Sequence, residues 1–132
     1  KSKIIIGVVE GDTHDIGKNL VKLMLETSGF EIIDLGRDVP AQKFVDEAKN
    51  NDADIIAISS LMTTTMDIME EVIKILEKEK VRDSFKVMVG GGPISKNFAD
   101  KIGADGYSVN ASEAVRLAKH LVGVEIADEV IA

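Results

Sequence analysis

The chain has 132 residues, a length suited to one domain with a real core, and 45% of them are hydrophobic. A formal net charge of −7 argues against nucleic acid and anionic membrane as partners, and the absence of cysteine excludes disulfides, iron–sulfur clusters and thiolate metal sites. No apolar run approaches the roughly 20 residues that span a bilayer, and no signal-peptide pattern opens the chain, so a cytoplasmic protein is expected. Lys3–Val9 (KIIIGVV) is a β-branched run of the kind that forms a buried strand. A helix is expected over Gly17–Thr27, with Leu20, Val21, Met24 and Leu25 on its inner face and Gly29 as its stop. Glu31–Leu35 reads as a second strand. Pro40 opens a helix that turns Phe44, Val45 and Ala48 inward.

Ile55–Ser60 is a third strand, and Met66–Lys80 a helix with Met69, Val72, Ile73 and Leu76 on one stripe. Lys86–Val89 is a fourth strand running into Gly90-Gly91-Gly92-Pro93. Ser95–Ile102 is a short helix stopped by Gly103, Gly106–Val109 a weak fifth strand, and Ser112–Val122 a last helix with Ser112 as its N-cap. Residues 123–132 carry no clear pattern. Strands alternating with helices imply parallel βαβ units with right-handed crossovers. The expected fold is therefore α/β, a doubly wound, flavodoxin-like (Rossmann-like) five-stranded parallel sheet of order 2-1-3-4-5. Ligands of such sheets bind beyond the carboxyl ends of the strands. One domain is expected over residues 1–132, with its core over about residues 3–122.

Three loops leave those carboxyl ends: 10–17 after the first strand, 59–65 after the third and 90–93 after the fourth. The first holds His14, one of two histidines; the other, His120, falls in the last helix and is expected at the surface. A lone loop histidine is by itself an ordinary surface residue. Asp12, two residues earlier, changes its standing, because a carboxylate can hold one ring nitrogen and leave the other free as a ligand. A single histidine, even with Glu10 and Asp15 near it, does not make the four-donor set that zinc takes. A metal carried in a macrocycle needs only one axial protein donor. Gly90–Gly92 allow close approach of backbone to a ligand, or simply a tight turn. The five hydroxyls of residues 59–65 include Thr63 and Thr64, either of which could cap the following helix. G-x-G-x-x-G after the first strand and the G-x-x-x-x-G-K-[ST] phosphate loop are both lacking.

Asp12-Thr13-His14-Asp15-Ile16-Gly17 resembles the D-x-H-x-x-G motif of the corrinoid-binding proteins, Ser59-Ser60-Leu61 their S-x-L motif and Gly90-Gly91 their G-G element. Order and placement agree over about residues 3–122, and the three together are far more specific than any one. The resemblance implies a cobamide (cobalamin or a related corrinoid) held base-off/His-on. His14 is then the lower axial ligand of cobalt, and Asp12, His14 and Ser59 form a hydrogen-bonded relay. It also implies that Gly11, Asp12, Thr13, Asp15, Ile16 and Gly17 lie against the cofactor. Leu61, Met62, Thr63 and Thr64 join them after the third strand, and Val89 and Pro93 after the fourth, with Leu61 and the turn of Gly90, Gly91 and Gly92 lining the channel for the displaced nucleotide tail. Tyr107, Asn110 and Ala111 fall near the far end of that tail.

The stretch Leu61-Met62-Thr63-Thr64-Thr65-Met66 looks like the methyl-transfer branch, which includes methionine synthase and the corrinoid proteins of methanol and methylamine methyltransferase systems. The implied function is a methyl carrier rather than a complete enzyme. It accepts a methyl group on Co(I) from a substrate-specific corrinoid methyltransferase, and a second methyltransferase passes that group to a folate or thiol. Proteins of this kind carry a small helical domain ahead of the corrinoid domain, so an upstream helical cap is expected to be missing here. Two alternatives stay open: the small cobalamin-binding subunit of an adenosylcobalamin-dependent mutase, and a corrinoid-sensing module. A phosphate receiver would need an acidic cluster at the end of the third strand, where Ser59-Ser60 stands.

Overall fold

A computed structural model describes residues 1–123; the patternless segment noted above falls, from residue 124 on, outside the described residues. The strands are β1 (Lys3–Val9), β2 (Glu31–Val39), β3 (Ile55–Ser59), β4 (Lys86–Gly90) and β5 (Gly106–Ser108). The helices are α1 (Ile16–Thr27), α2 (Ala41–Asn50), α3 (Asp67–Lys78), α4 (Lys96–Ile102) and α5 (Ala111–Leu121), with a 3-10 turn at Arg82–Ser84. The sheet has the order β2-β1-β3-β4-β5, and every neighbouring pair is parallel. The expected fold is the one observed. Among the described residues, no helix is long and apolar enough to cross a membrane.

Two-residue alternation sorts each central strand between two cores. Ile5, Ile56, Ile58, Val87 and Val89 pack with Phe44, Val45, Met69, Val72, Ile73 and Leu76 on the α2–α3 side. Ile4, Ile6, Ile55, Ala57 and Met88 pack with Leu25, Ala114 and Ala118 on the α1–α5 side. Helices on both faces leave β1 no solvent side, which is why it reads as an unbroken apolar run.

Four expectations are corrected. Leu20 lies 52% exposed rather than inside, although Leu25 of the same helix is fully buried. The N-cap of α5 is Asn110, whose side chain accepts from Glu113 N–H, and not Ser112. β2 runs on to Val39, past the predicted end at Leu35, and two register shifts against β1 accommodate its extra residues. Pro40, in extended conformation, is the N-cap of α2 rather than its first helical residue. Other element ends move by one or two residues, as at α3 and β5.

Candidate functional site

The chain leaves β1 through a tight turn in which Gly11 has φ +87° and Asp12 N–H returns to Val9 C=O at 3.1 Å. That turn buries Asp12 completely. Its Oδ1 accepts from His14 N–H at 2.9 Å and lies 2.7 Å from His14 Nδ1, and its Oδ2 accepts from Leu61 N–H at 2.7 Å. The last bond crosses the crevice between β1 and β3, where the strand order reverses. Burial pushes the Asp12 carboxyl up. The two backbone N–H groups and the His14 ring outweigh it and hold the carboxyl below its ordinary value of 3.8.

An ionised carboxylate only accepts, so the proton between Asp12 and His14 sits on Nδ1. In the neutral ring Nε2 is then an unprotonated donor to a metal. The ring is 57% exposed, and Nε2 has no hydrogen-bond partner among the described residues. The arrangement is a fixed tautomer with one nitrogen held and the other offered.

The Ser59 arm of the relay is corrected. Ser59 makes no hydrogen bond to Asp12; the main-chain amide of Leu61 takes that place. Alternation along β3 explains it, since Ser59 shares the face of Ile55 and Ala57 and turns toward the α1–α5 side. Ser60, fully buried, ties the loop instead: its Oγ donates to Met62 C=O at 3.1 Å or pairs with Thr65 Oγ1 at 2.9 Å. Neither Thr63 nor Thr64 caps α3, whose N-cap is Met66 with no side-chain bond.

Beside this loop a cavity of about 450 Å³ opens between α1 and α5. Of the predicted site residues it brings together Gly17, Ser59, Leu61 and Val89, the three glycines Gly90, Gly91 and Gly92, and then Tyr107, Asn110 and Ala111. Gly11, Asp12, Thr13, His14, Asp15 and Ile16 do not line it; they form the loop leading into its wall at Gly17. Met62, Thr63, Thr64 and Pro93 stand outside it as well. Sequence reading missed its apolar floor of Ile6, Ala57 and Met88, and missed Val21 and Ala114 on the flanking helices. These five look like ordinary core positions, and no motif separates a floor from a core. Leu20, Leu61 and Val109 line the cavity yet are 52%, 41% and 62% exposed, and Ile16 beside it is 86% exposed. Apolar groups left this open next to an exposed imidazole could receive a large, flat, mostly apolar ligand.

Lys18 also reaches the cavity wall, 4% exposed, but its ammonium is committed to both carboxylate oxygens of Asp34 at 2.9 and 2.8 Å. Burial raises the Asp34 carboxyl; the Lys18 hydrogen bonds, the Gly36 amide and Lys22 bring it below its ordinary value.

A bare ion does not fit the site, because no group of three His, Cys, Asp or Glu side chains gathers among the described residues. A macrocyclic metal with one axial protein donor does fit. Gly17 gives an independent sign: it sits in the first turn of α1 on the cavity wall, and a Cβ built there meets nothing within 4 Å. No neighbour among the described residues requires a glycine there, so the wall beside α1 is open enough to admit a ligand. Gly17→Ala is therefore expected to stabilise the cofactor-free chain, by up to about 1 kcal/mol, while weakening uptake of a ligand pressed against α1. Thermal melts and ligand titrations on the same variant check the two opposite signs, and unchanged affinity would show that nothing approaches this glycine.

A family profile described as the B12 binding domain matches residues 2–116. The chain is 56% identical over 119 residues to dimethylamine corrinoid protein 3 of Methanosarcina acetivorans, covering 90% of this chain and 56% of that protein. It superposes on the monomethylamine corrinoid protein of Methanosarcina barkeri with TM-score 0.88 and 42% identity, over 91% of this chain and 57% of that one. It also superposes on a chain of the methanol:cobalamin methyltransferase complex MtaBC of the same organism with TM-score 0.85 and 32% identity, over 97% and 49% respectively. The chain thus spans about half the length of the relatives it matches.

Proposed function

Because the chain belongs to the B12-binding domain family, we propose that it holds one cobamide with His14 Nε2 as the lower axial donor to cobalt, the cofactor's own base being displaced into the cavity between α1 and α5. The observation that carries this reading is the fixed ring: Asp12 holds Nδ1 at 2.7 Å and leaves Nε2 exposed and without a partner among the described residues. Its support from the cavity is steric. The floor is apolar, Gly17 leaves open space, and Gly90–Gly92 form one wall where the backbone itself can meet the tail.

When bound, the corrin cobalt supplies a centre that takes up a methyl group in its reduced state and yields it to a nucleophile. This chain's residues bind and orient. His14 would donate from one nitrogen, and Asp12 keeps the proton on the other. The carrier reading is supported by the relatives, which are methylamine corrinoid proteins and a chain of a methanol:cobalamin methyltransferase complex. In this reading one methyltransferase brings the methyl group from its substrate and a second removes it to a folate or thiol acceptor.

Equilibrium dialysis against methylcobalamin tests the binding claim. Uptake near one cofactor per chain is expected, and no uptake sinks the reading. Methyl transfer from a methylamine or methanol is expected only when a cognate methyltransferase is added. Turnover by the loaded chain alone at enzyme-like rates would contradict the carrier role.

A further inference from the structure

The loop that carries Asp12 and His14 is gripped from the neighbouring strand by a residue outside the family motifs. Asp38 lies near the end of β2, exposed to solvent, so packing does not explain it. It is one of three non-glycine residues among those described with positive φ, at +58°. That conformation is one that Asp tolerates better than most side chains. It falls within the second register shift of β2 against β1, between the pairs Gly7↔Gly36 and Val9↔Val39. The extra residue there turns Asp38 toward the loop. Gly11 N–H donates to Asp38 Oδ1 at 2.7 Å, and Asp38 N–H donates to Asp12 C=O at 3.1 Å. The two bonds bracket the Gly11–Asp12 dipeptide. Together with Asp12 N–H to Val9 C=O they leave the Asp12 backbone little freedom, and so aim its carboxylate at His14 and at Leu61 N–H.

We infer that Asp38 is a positioning residue for His14: its strained backbone and its carboxylate fix Asp12, and Asp12 fixes the tautomer and direction of the imidazole. The functional meaning rests on His14 being the cobalt donor, but the geometry is testable without cofactor. A free neutral imidazole favours the Nε2–H form, whereas the Asp12 contact demands Nδ1–H. Two variants separate the parts of the grip. Asp38→Gly accepts the positive φ without strain and removes the acceptor. Asp38→Asn keeps a short acceptor and tolerance of the left-handed region.

The readout is the ratio of Nδ1–H to Nε2–H tautomer of His14 in the cofactor-free chain. It is read by long-range nitrogen–proton NMR at about pH 8.5, where an ordinary imidazole is neutral. The parent should be mainly Nδ1–H. The ratio should fall about tenfold in Asp38→Gly, the scale of losing an outer partner of a ligand histidine, and stay near the parent value in Asp38→Asn. A parent-like ratio in Asp38→Gly, even with a lowered melting temperature, would reduce Asp38 to a structural clasp and overturn the inference. An equal fall in Asp38→Asn would overturn it too, by removing the acceptor as its agent. If the ratios behave as expected but the parent takes up no cobamide, the positioning stands and the cofactor reading fails.

Discussion

His14→Ala is expected to abolish the protein nitrogen on the cobalt of a bound cobamide and to weaken binding by more than the roughly 100-fold that marks the upper range for losing an outer partner. The methylcobamide spectrum should shift toward a form with water or nothing as lower ligand. The fold should survive, because the ring is 57% exposed and its one side-chain bond among the described residues is to Asp12, a net contribution of about 1 kcal/mol. Asp12→Asn is the informative companion. The carboxylate accepts on both sides, from His14 N–H and Nδ1 on one oxygen and from Leu61 N–H on the other. An amide can match only one side and must turn its NH2 toward a donor on the other. Histidine ligation should persist with affinity about 10–100-fold lower, milder than His14→Ala, and visible spectra with cobamide titrations of both variants check the order. Equal affinity of parent and His14→Ala would remove His14 from the site.

Gly91→Val is expected to destabilise the chain by more than about 3 kcal/mol. A reading of the glycines as mere channel wall expects this variant to fold and only block the tail, provided the turn needs no positive φ. The turn does need it: Gly91 has φ +128°, and a Cβ there would stand 1.9 Å from Ser60 C=O oxygen and 2.8 Å from its carbon. Those are backbone atoms of the loop after β3, held close by Ser60 N–H to Gly90 C=O at 3.2 Å. They cannot step aside without parting β3 from β4. Gly92 is the better probe of the channel. Its φ is not in the left-handed region, and the nearest atom to an added Cβ is Leu61 Cδ2 at 3.3 Å, the end of a flexible side chain. Denaturant unfolding should show Gly91→Val far below the parent and Gly92→Ala close to it. A stable Gly91→Val chain would contradict the geometry of this turn.

The sheet was legible because its signal is redundant: four β-branched runs separated by amphipathic helices admit few arrangements other than order 2-1-3-4-5. Asp12 and His14 were legible because a carboxylate and an imidazole two residues apart carry their chemistry in their identities. The main-chain contributions were not. Leu61 N–H holds Asp12, yet any residue there offers the same amide, so reading chemistry from side chains put Ser59 in that role. Asp38 was missed for a related reason. Its grip depends on register shifts between β2 and β1, which follow from the packing of two strands and leave only an Asp ahead of Val39-Pro40 as a trace. Leu20 is expected inside because it stands one turn before Met24 and adjoins Val21, which stands one turn before Leu25. Periodicity finds the face that avoids water, and cannot separate a core from the mouth of a cavity.

The central claim is that a nitrogen of this chain, on His14, ligates cobalt from below. It is tested most directly by labelling the histidines of the chain with nitrogen-15, loading unlabelled cobamide, and recording the electron paramagnetic resonance of the Co(II) form. Each cobalt line should split into a doublet, because the coupled nucleus is the protein's nitrogen-15. A triplet unchanged by the label would mean that the cofactor's own unlabelled base remains on cobalt, and would contradict the assignment of His14.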